Sequence, residues 1–162
     1  MNPTRGGEQD GRIWALAEQV DRVLPALAVK LMQFVKDFPV PDVTLTQAFL
    51  LHHLRHHGPC TASMIADLLG VTSGPVTSVT KRLMQRGLLD RRPDAKDGRV
   101  VWFSLTDAGE RLADTLSRHS TERWAAVIRE VGEERARTAL EIMGNTIRVV
   151  DRLQENPPEA GP

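Results

Sequence analysis

Four of the chain's five histidines fall within six residues, in the run His52-His53-Leu54-Arg55-His56-His57. On a helix, the pairs 52/56 and 53/57 each share a face at the i, i+4 spacing with which two imidazoles ligate one metal ion. His119 is far enough along to reach the cluster from a later helix. The run lacks the H-E-x-x-H arrangement and has no neighbouring Cys or Asp to complete a ligand set. A zinc or nickel site is therefore the alternative here. The leading expectation is a solvated or pocket-lining polar helix face that presents His52, His53, Arg55, His56 and His57. No Gly-rich phosphate loop, paired carboxylates or nucleophile elbow is present. The expectation is a protein with no catalytic residues, no resident metal and no cofactor, and thus not an enzyme. Cys60 is the only cysteine, so neither an intrachain disulfide framework nor a Cys-rich zinc site can form.

A second set of residues suits nucleic acid. Ser73, Gly74, Thr77, Ser78 and Lys81 share one helical face once Val76, Val79 and Leu83 are turned inward. Small side chains allow a helix to approach base edges closely. Hydroxyls donate or accept there, and the Thr methyl can meet thymine. Lys81 and Arg82 are placed for phosphates. Farther on, Asp94, Lys96, Asp97 and Arg99 occupy six residues of a polar turn. An arginine on such a tip fits a narrow, electronegative minor groove. Asp97 is positioned to hold its guanidinium by a bidentate pair.

The elements that must position these groups can be read from period and punctuation. Apolar residues from Ile13 to Phe38 recur every three or four positions, which predicts a long helix over about 12–38, bent at Pro25 and ended by Pro39 and Pro41. Thr44 and Gln47 have capping-box spacing, and Gly58-Pro59 closes the helix they open. Thr61 caps a short helix ending at Gly70. Thr72 or Ser73 caps the next, with Pro75 in its first turn. Leu88–Arg92 and Arg99–Leu105 read as two strands around the turn. Helices follow over about 106–131 and 133–155, interrupted by Gly132. The second repeats Ala136, Leu140, Met143, Ile147 and Val150 as an apolar seam.

The fold class expected is mainly α: a winged helix-turn-helix with a small two- or three-stranded β-wing and long N- and C-terminal dimerisation helices. Residues 1–43 are an N-terminal arm and dimerisation helix, 44–105 the winged domain, 106–155 C-terminal dimerisation helices, and 156–162 a disordered tail. The 162 residues carry a formal charge of zero, which hides a pattern. Residues 44–105 have eight Lys/Arg against four Asp, for +4, whereas 1–43 come to −1 and 106–162 to −3. A basic centre between acidic arms is what a DNA-reading module flanked by oligomerisation elements would carry. No apolar run approaches a membrane span and no signal-peptide core follows the polar start, so a cytoplasmic protein without a membrane partner is expected.

From Val43 to Leu112 the sequence resembles the MarR family. The likeness lies in an ordered series: T44-x-x-Q47, G58-P59, A66-x-x-L69-G70-V71-T72, V76-T77, L83, R86-G87-L88-L89, R91-R92, D94-x-x-D97-G98-R99 and L105-T106-x-A108-G109. Gly98 departs from the family, in which a second wing arginine is frequent, so Arg99 stands as the minor-groove reader. The resemblance implies a homodimer on a pseudo-palindromic double-stranded DNA operator. It is usually a repressor released by a small-molecule effector or by oxidation, with an interface of the first, fifth and sixth helices. The effector crevice it implies lies between the dimer helices and the DNA-binding domain. Peroxide-sensing relatives usually carry their thiol in the first helix, and this one has none, so Cys60 is expected to be a small structural residue. A metal-responsive regulator and a winged helix used only for protein contacts are the alternatives.

Overall fold

The computed structural model describes residues 4–36 and 40–157, with side chains from residue 9 onward apart from Ser73. Phe38, Pro39 and most of the tail expected at 156–162 lie outside the described residues. Among the described residues, six helices and three short strands follow in order: α1 (Thr4–Val35), α2 (Leu45–His57), β1 (Cys60–Thr61), α3 (Ala62–Leu69), α4 (Ser73–Gln85), β2 (Leu89–Pro93), β3 (Val101–Leu105), α5 (Asp107–Val131) and α6 (Glu133–Glu155). The architecture is mainly α with one antiparallel sheet in the order β1-β3-β2. Two compact units divide after Ser117. No helix among the described residues is long and apolar enough to cross a membrane.

The core of the first unit is assembled from α2, α3, α4, the sheet and the start of α5. Leu50, Leu51, Leu54, Ile65, Val76, Leu83, Phe103 and Leu116 are buried together. Each helix carries its own start and stop signals. The Thr44 hydroxyl accepts from Gln47 N–H while the Gln47 side chain accepts from Thr44 N–H, completing the capping box at α2. Gly58 ends α2 and Gly70 ends α3, both with the positive φ that glycine adopts without a Cβ penalty.

Several boundaries differ from the sequence reading. α1 begins at Thr4, not Arg12, because the apolar stripe marks only the segment from Ile13 onward and says nothing about polar turns before it. Pro25 lies inside α1, as the reading of one long helix requires. β3 begins at Val101, not Arg99, because the turn is longer: Asp94 N–H donates to Val100 O and Val100 N–H donates to Asp97 O. β1, a strand of two residues pairing Cys60 with Phe103 and Thr61 with Trp102, adds the third strand.

In the single chain α1 is exposed from Gln9 to Gln33, including Leu16, Val20, Leu24 and Leu27. In the second unit α6 buries no residue, and Leu140, Met143, Ile147 and Val150 all face outward. Its first turn is acidic, and Glu133 pairs with Arg137 at 2.6 Å.

Candidate nucleic-acid interface

α3 and α4 are joined by a brief turn that Gly70 makes possible. Thr61 caps α3 through Met64 N–H, and Thr72 is the N-cap residue of α4 without a side-chain cap bond. α4 turns Val76 and Leu83 fully inward and Val79 partly so. Thr80 is buried with them, a polar residue that apolar periodicity does not find. Its hydroxyl is satisfied by donating to Val76 O at 2.9 Å, so burial leaves no orphan donor. Gly74, Thr77, Ser78, Lys81 and Arg82 remain exposed on the outer face, and Ser73 opens the helix. At the far end, the Arg86 guanidinium donates to Asp42 O at 2.9 Å, tying α4 to the turn before α2.

β2 and β3 pair from Leu89–Leu105 to Pro93–Val101 and carry the tip of the hairpin beyond them. Lys96, Asp97, Gly98 and Arg99 are all exposed there. Asp97 supports Arg99 differently from the bidentate pair expected: its carboxylate accepts the Arg99 backbone N–H at 3.0 Å. The contact is to the main chain, and the Arg99 side chain is exposed. The Asp94 carboxyl is held below the ordinary carboxylate range by the amides of Asp97 and Lys96, and then by the Trp102 indole N–H.

Between the hydroxyl-bearing end of α3, the outer face of α4 and the hairpin lies a crevice of about 690 Å³. Val76, Met84, Val101 and Phe103 form its apolar floor, and Thr77, Lys81, Arg91 and Arg99 converge on it. Lys81 and Arg99, assigned separately from the sequence, are thus brought together. Arg82 and Lys96 lie outside the crevice walls. Arg91 was not among the expected site residues. Its signal was its place on β2 opposite Phe103, which puts it on the strand face toward α4. Three cations around one concave surface form a focused positive field with few competing acids.

The four histidines of α2 sit elsewhere in the first unit. His52 and His56 have ring centroids 4.3 Å apart, and His53 and His57 stack at 4.5 Å. His52, His53 and His57 line a cleft of about 460 Å³ between α2 and α3, with Phe49, Leu68 and Val71 on its walls. His56 and Arg55 do not line it. Arg55 is a correction to the expected pocket: its Nε lies 2.9 Å from Asp114 Oδ1 and 3.0 Å from Glu110 Oε2, and both acids hold its pKa up. An incoming anion would have to displace two carboxylates. Among the described residues, no group of three or more His, Cys, Asp or Glu is placed to hold a metal ion. Cys60 is buried, and burial pushes its thiol pKa up, away from the thiolate a redox sensor needs.

Burial, followed by repulsion from neighbouring histidines, lowers the pKa of His52, and the same causes lower that of His53. In the unfolded chain these groups take up protons at the ordinary value of 6.5. The unfolded state therefore binds protons first as pH falls, and the fold loses stability through that range. The melting temperature should fall between about pH 7.5 and about pH 5.5, and His52→Gln with His53→Gln should flatten the decline. An equal decline in the double variant would show that other groups cause it.

A short helix, a tight turn, a second helix with a polar outer face, and a hairpin closing one side of the crevice define a winged helix-turn-helix. Residues 43–101 match the model of the MarR family. The central domain of the chain therefore resembles the MarR family in sequence as well as in fold. It is 34% identical over 96 residues to the HTH-type transcriptional repressor MdtR of Bacillus subtilis, a match covering 59% of this chain and 62% of MdtR. The match thus spans less than two-thirds of that relative. Among solved structures, the YusO protein from Bacillus subtilis has a TM-score of 0.59 at 28% identity, covering 83% of this chain and 96% of YusO. Bordetella bronchiseptica BpsR, described for regulation of its DNA binding by 6-hydroxynicotinic acid, has a TM-score of 0.67 at 21% identity. That match covers 79% of this chain and 98% of BpsR, and at such identity it carries the fold alone.

Proposed function

We propose that this chain is a sequence-specific DNA-binding transcriptional regulator, a ligand-responsive repressor that binds a pseudo-palindromic operator as a homodimer. The observation that carries this reading is the convergence of Thr77 and Lys81 on α4 with Arg91 and Arg99 of the hairpin around one concave, cationic surface. In it α4 enters the major groove, the wing reaches the adjacent minor groove, and residues 44–105 read DNA while 1–43 and 106–155 hold the dimer. The reading contains no catalytic step and no cofactor, and it places the protein in the cytoplasm. Its relationship to MdtR, a transcriptional repressor, supports the same class.

The contacts should separate by their dependence on salt and sequence. Arg99→Ala should cost about 1–3 kcal/mol, with the loss following minor-groove width at the operator flanks. Lys81→Ala should weaken specific and non-specific DNA alike and reduce the salt slope by about one. Thr77→Ala or Ser78→Ala should relax sequence preference instead. Fluorescence anisotropy across a salt series checks all four. An Arg99→Ala protein that binds operator like the parent at every salt concentration would remove the wing from the interface.

For the effector, the cleft lined by His52, His53 and His57 has apolar walls and few polar groups, which suits a small aromatic anion. The aromatic acid that regulates BpsR belongs to that chemical class. Release of DNA by a factor of about 100 requires about 2.7 kcal/mol of coupling. Salicylate-like anions, and separately zinc, should be titrated against the operator complex of the parent and of the His53→Ala/His57→Ala double variant. Anion-driven release that the double variant loses is the expected result. Release by zinc alone, lost in the same variant, would favour the metal-responsive alternative.

A further inference from the structure

We infer that Trp102 and Asp94 form a clamp that positions Arg99 at the tip of the wing. The inference rests on the DNA-binding reading above and adds two residues to it that touch no DNA themselves. Asp94 collects three donors on one carboxylate: Lys96 N–H at 2.8 Å and Asp97 N–H at 3.0 Å on Oδ1, and Trp102 Nε1–H at 2.9 Å on Oδ2. The first two bonds close the turn on itself. The third reaches out of the turn to β3, the central strand of the sheet. There Trp102 stands opposite Thr61 of β1 and Arg92 of β2, and its neighbour Phe103 is buried in the core. The indole N–H thereby ties the turn to the central strand of the sheet.

The remaining bonds transmit that anchor to Arg99. Asp94 N–H donates to Val100 O, Val100 N–H donates to Asp97 O, and the Asp97 carboxylate accepts Arg99 N–H. The main chain around Arg99 is fixed on both sides, while its side chain is exposed beside the crevice. An exposed hairpin tip without such an anchor samples many conformations, and ordering it on DNA would subtract from affinity. The bond is charge-assisted and so among the stronger hydrogen bonds available. Amide donors of Asp97 and Lys96, with the indole, hold Asp94 ionised well below neutral pH, so the clamp is closed under ordinary conditions.

Trp102→Phe removes the N–H donor and keeps an aromatic ring, and Asp94→Ala removes the acceptor. Both should be measured for binding to a selected operator duplex in the unaltered and the Arg99→Ala backgrounds, with melting curves to show that each variant is folded. Each should weaken binding about fivefold in the unaltered background and less than about twofold when Arg99 is already absent. Hydrogen exchange at the Lys96 and Asp97 amides, measured without DNA, should accelerate about tenfold in Trp102→Phe. Equal losses in both backgrounds, or no loss in either variant, would overturn the positioning role, and unchanged exchange would overturn the clamp itself. If the unaltered chain binds no duplex DNA, the reading of its function fails, and with it the role of Arg99. The exchange rates then decide the clamp alone.

Discussion

Replacing Leu140 and Ile147 together by Asp should convert the protein from a dimer near twice 18.0 kDa to a monomer and abolish operator binding. In the single chain Leu140 is 63% exposed and Ile147 61%, and Met143 and Val150 continue the same seam along α6. Each such side chain gains about 1.5–3 kcal/mol when fully buried. Four of them supply a driving force on the order of several kcal/mol before the entropy of association is charged. An unpaired carboxylate in that seam reverses the sign locally, because it must be desolvated without a partner. A penalty of about 4 kcal/mol already weakens association about a thousandfold. Helix α6 itself should survive, since Asp at two exposed positions costs only a few tenths of a kcal/mol each in propensity. Sedimentation at micromolar concentration checks the dimer, and circular dichroism checks the helix. A double variant that remains dimeric would remove α6 from the interface.

Gly109→Ala should lower the melting temperature by about 10 °C, corresponding to about 3 kcal/mol or more in a chain of this size. A Cβ at Gly109 would lie 2.1 Å from Leu88 O, 3.1 Å from Leu88 C and 3.2 Å from a Leu105 methyl carbon. The nearest obstacle is backbone, so no side-chain rotation relieves it. The same carbonyl accepts Thr106 N–H at 3.2 Å, while the Thr106 hydroxyl donates to Gly87 O at 2.7 Å and accepts Gly109 N–H at 3.1 Å. Shifting Leu88 to make room would break this junction between the end of α4, β2 and the start of α5. Gly98→Ala is the control, because nothing lies within 4 Å of a Cβ there. If the two alanine variants melt together, the close approach at Gly109 does not matter to stability.

That junction also illustrates what the sequence made legible. The runs R86-G87-L88-L89 and L105-T106-x-A108-G109 could be matched to a family before any contact was known. Their reason is the hydrogen bonding of Thr106 across nineteen residues to Gly87. Signals of short range were readable from residue type alone: the Thr44–Gln47 box, Gly58 and Gly70 at helix ends, Gly132 between α5 and α6. Interactions fixed by distant partners were not. Arg55 looked like a free cation because Asp114, its partner, lies 59 residues away. Two residues at 60–61 carry no periodicity, and only the exposed edge of β3 makes them a strand. Arg91 and Arg92 were indistinguishable as charges, and strand alternation in the folded sheet sends Arg91 to the crevice. The long tip of the wing was hidden for a different reason. Asp94 read as part of a polar turn and Asp97 as a partner for the Arg99 guanidinium, whereas their carboxylates hold main-chain amides and so delay the start of β3 to Val101.

The central claim is that the crevice between α4 and the wing reads duplex DNA by sequence, one half-site per chain. Selection of bound fragments from a random duplex pool, at about 0.15 M salt and over several rounds, tests it most directly. The account predicts enrichment of an inverted repeat whose half-sites lie about one helical turn apart, and loss of that enrichment with Lys81→Ala/Arg99→Ala. A pool that stays random while the chain remains folded and dimeric would contradict it.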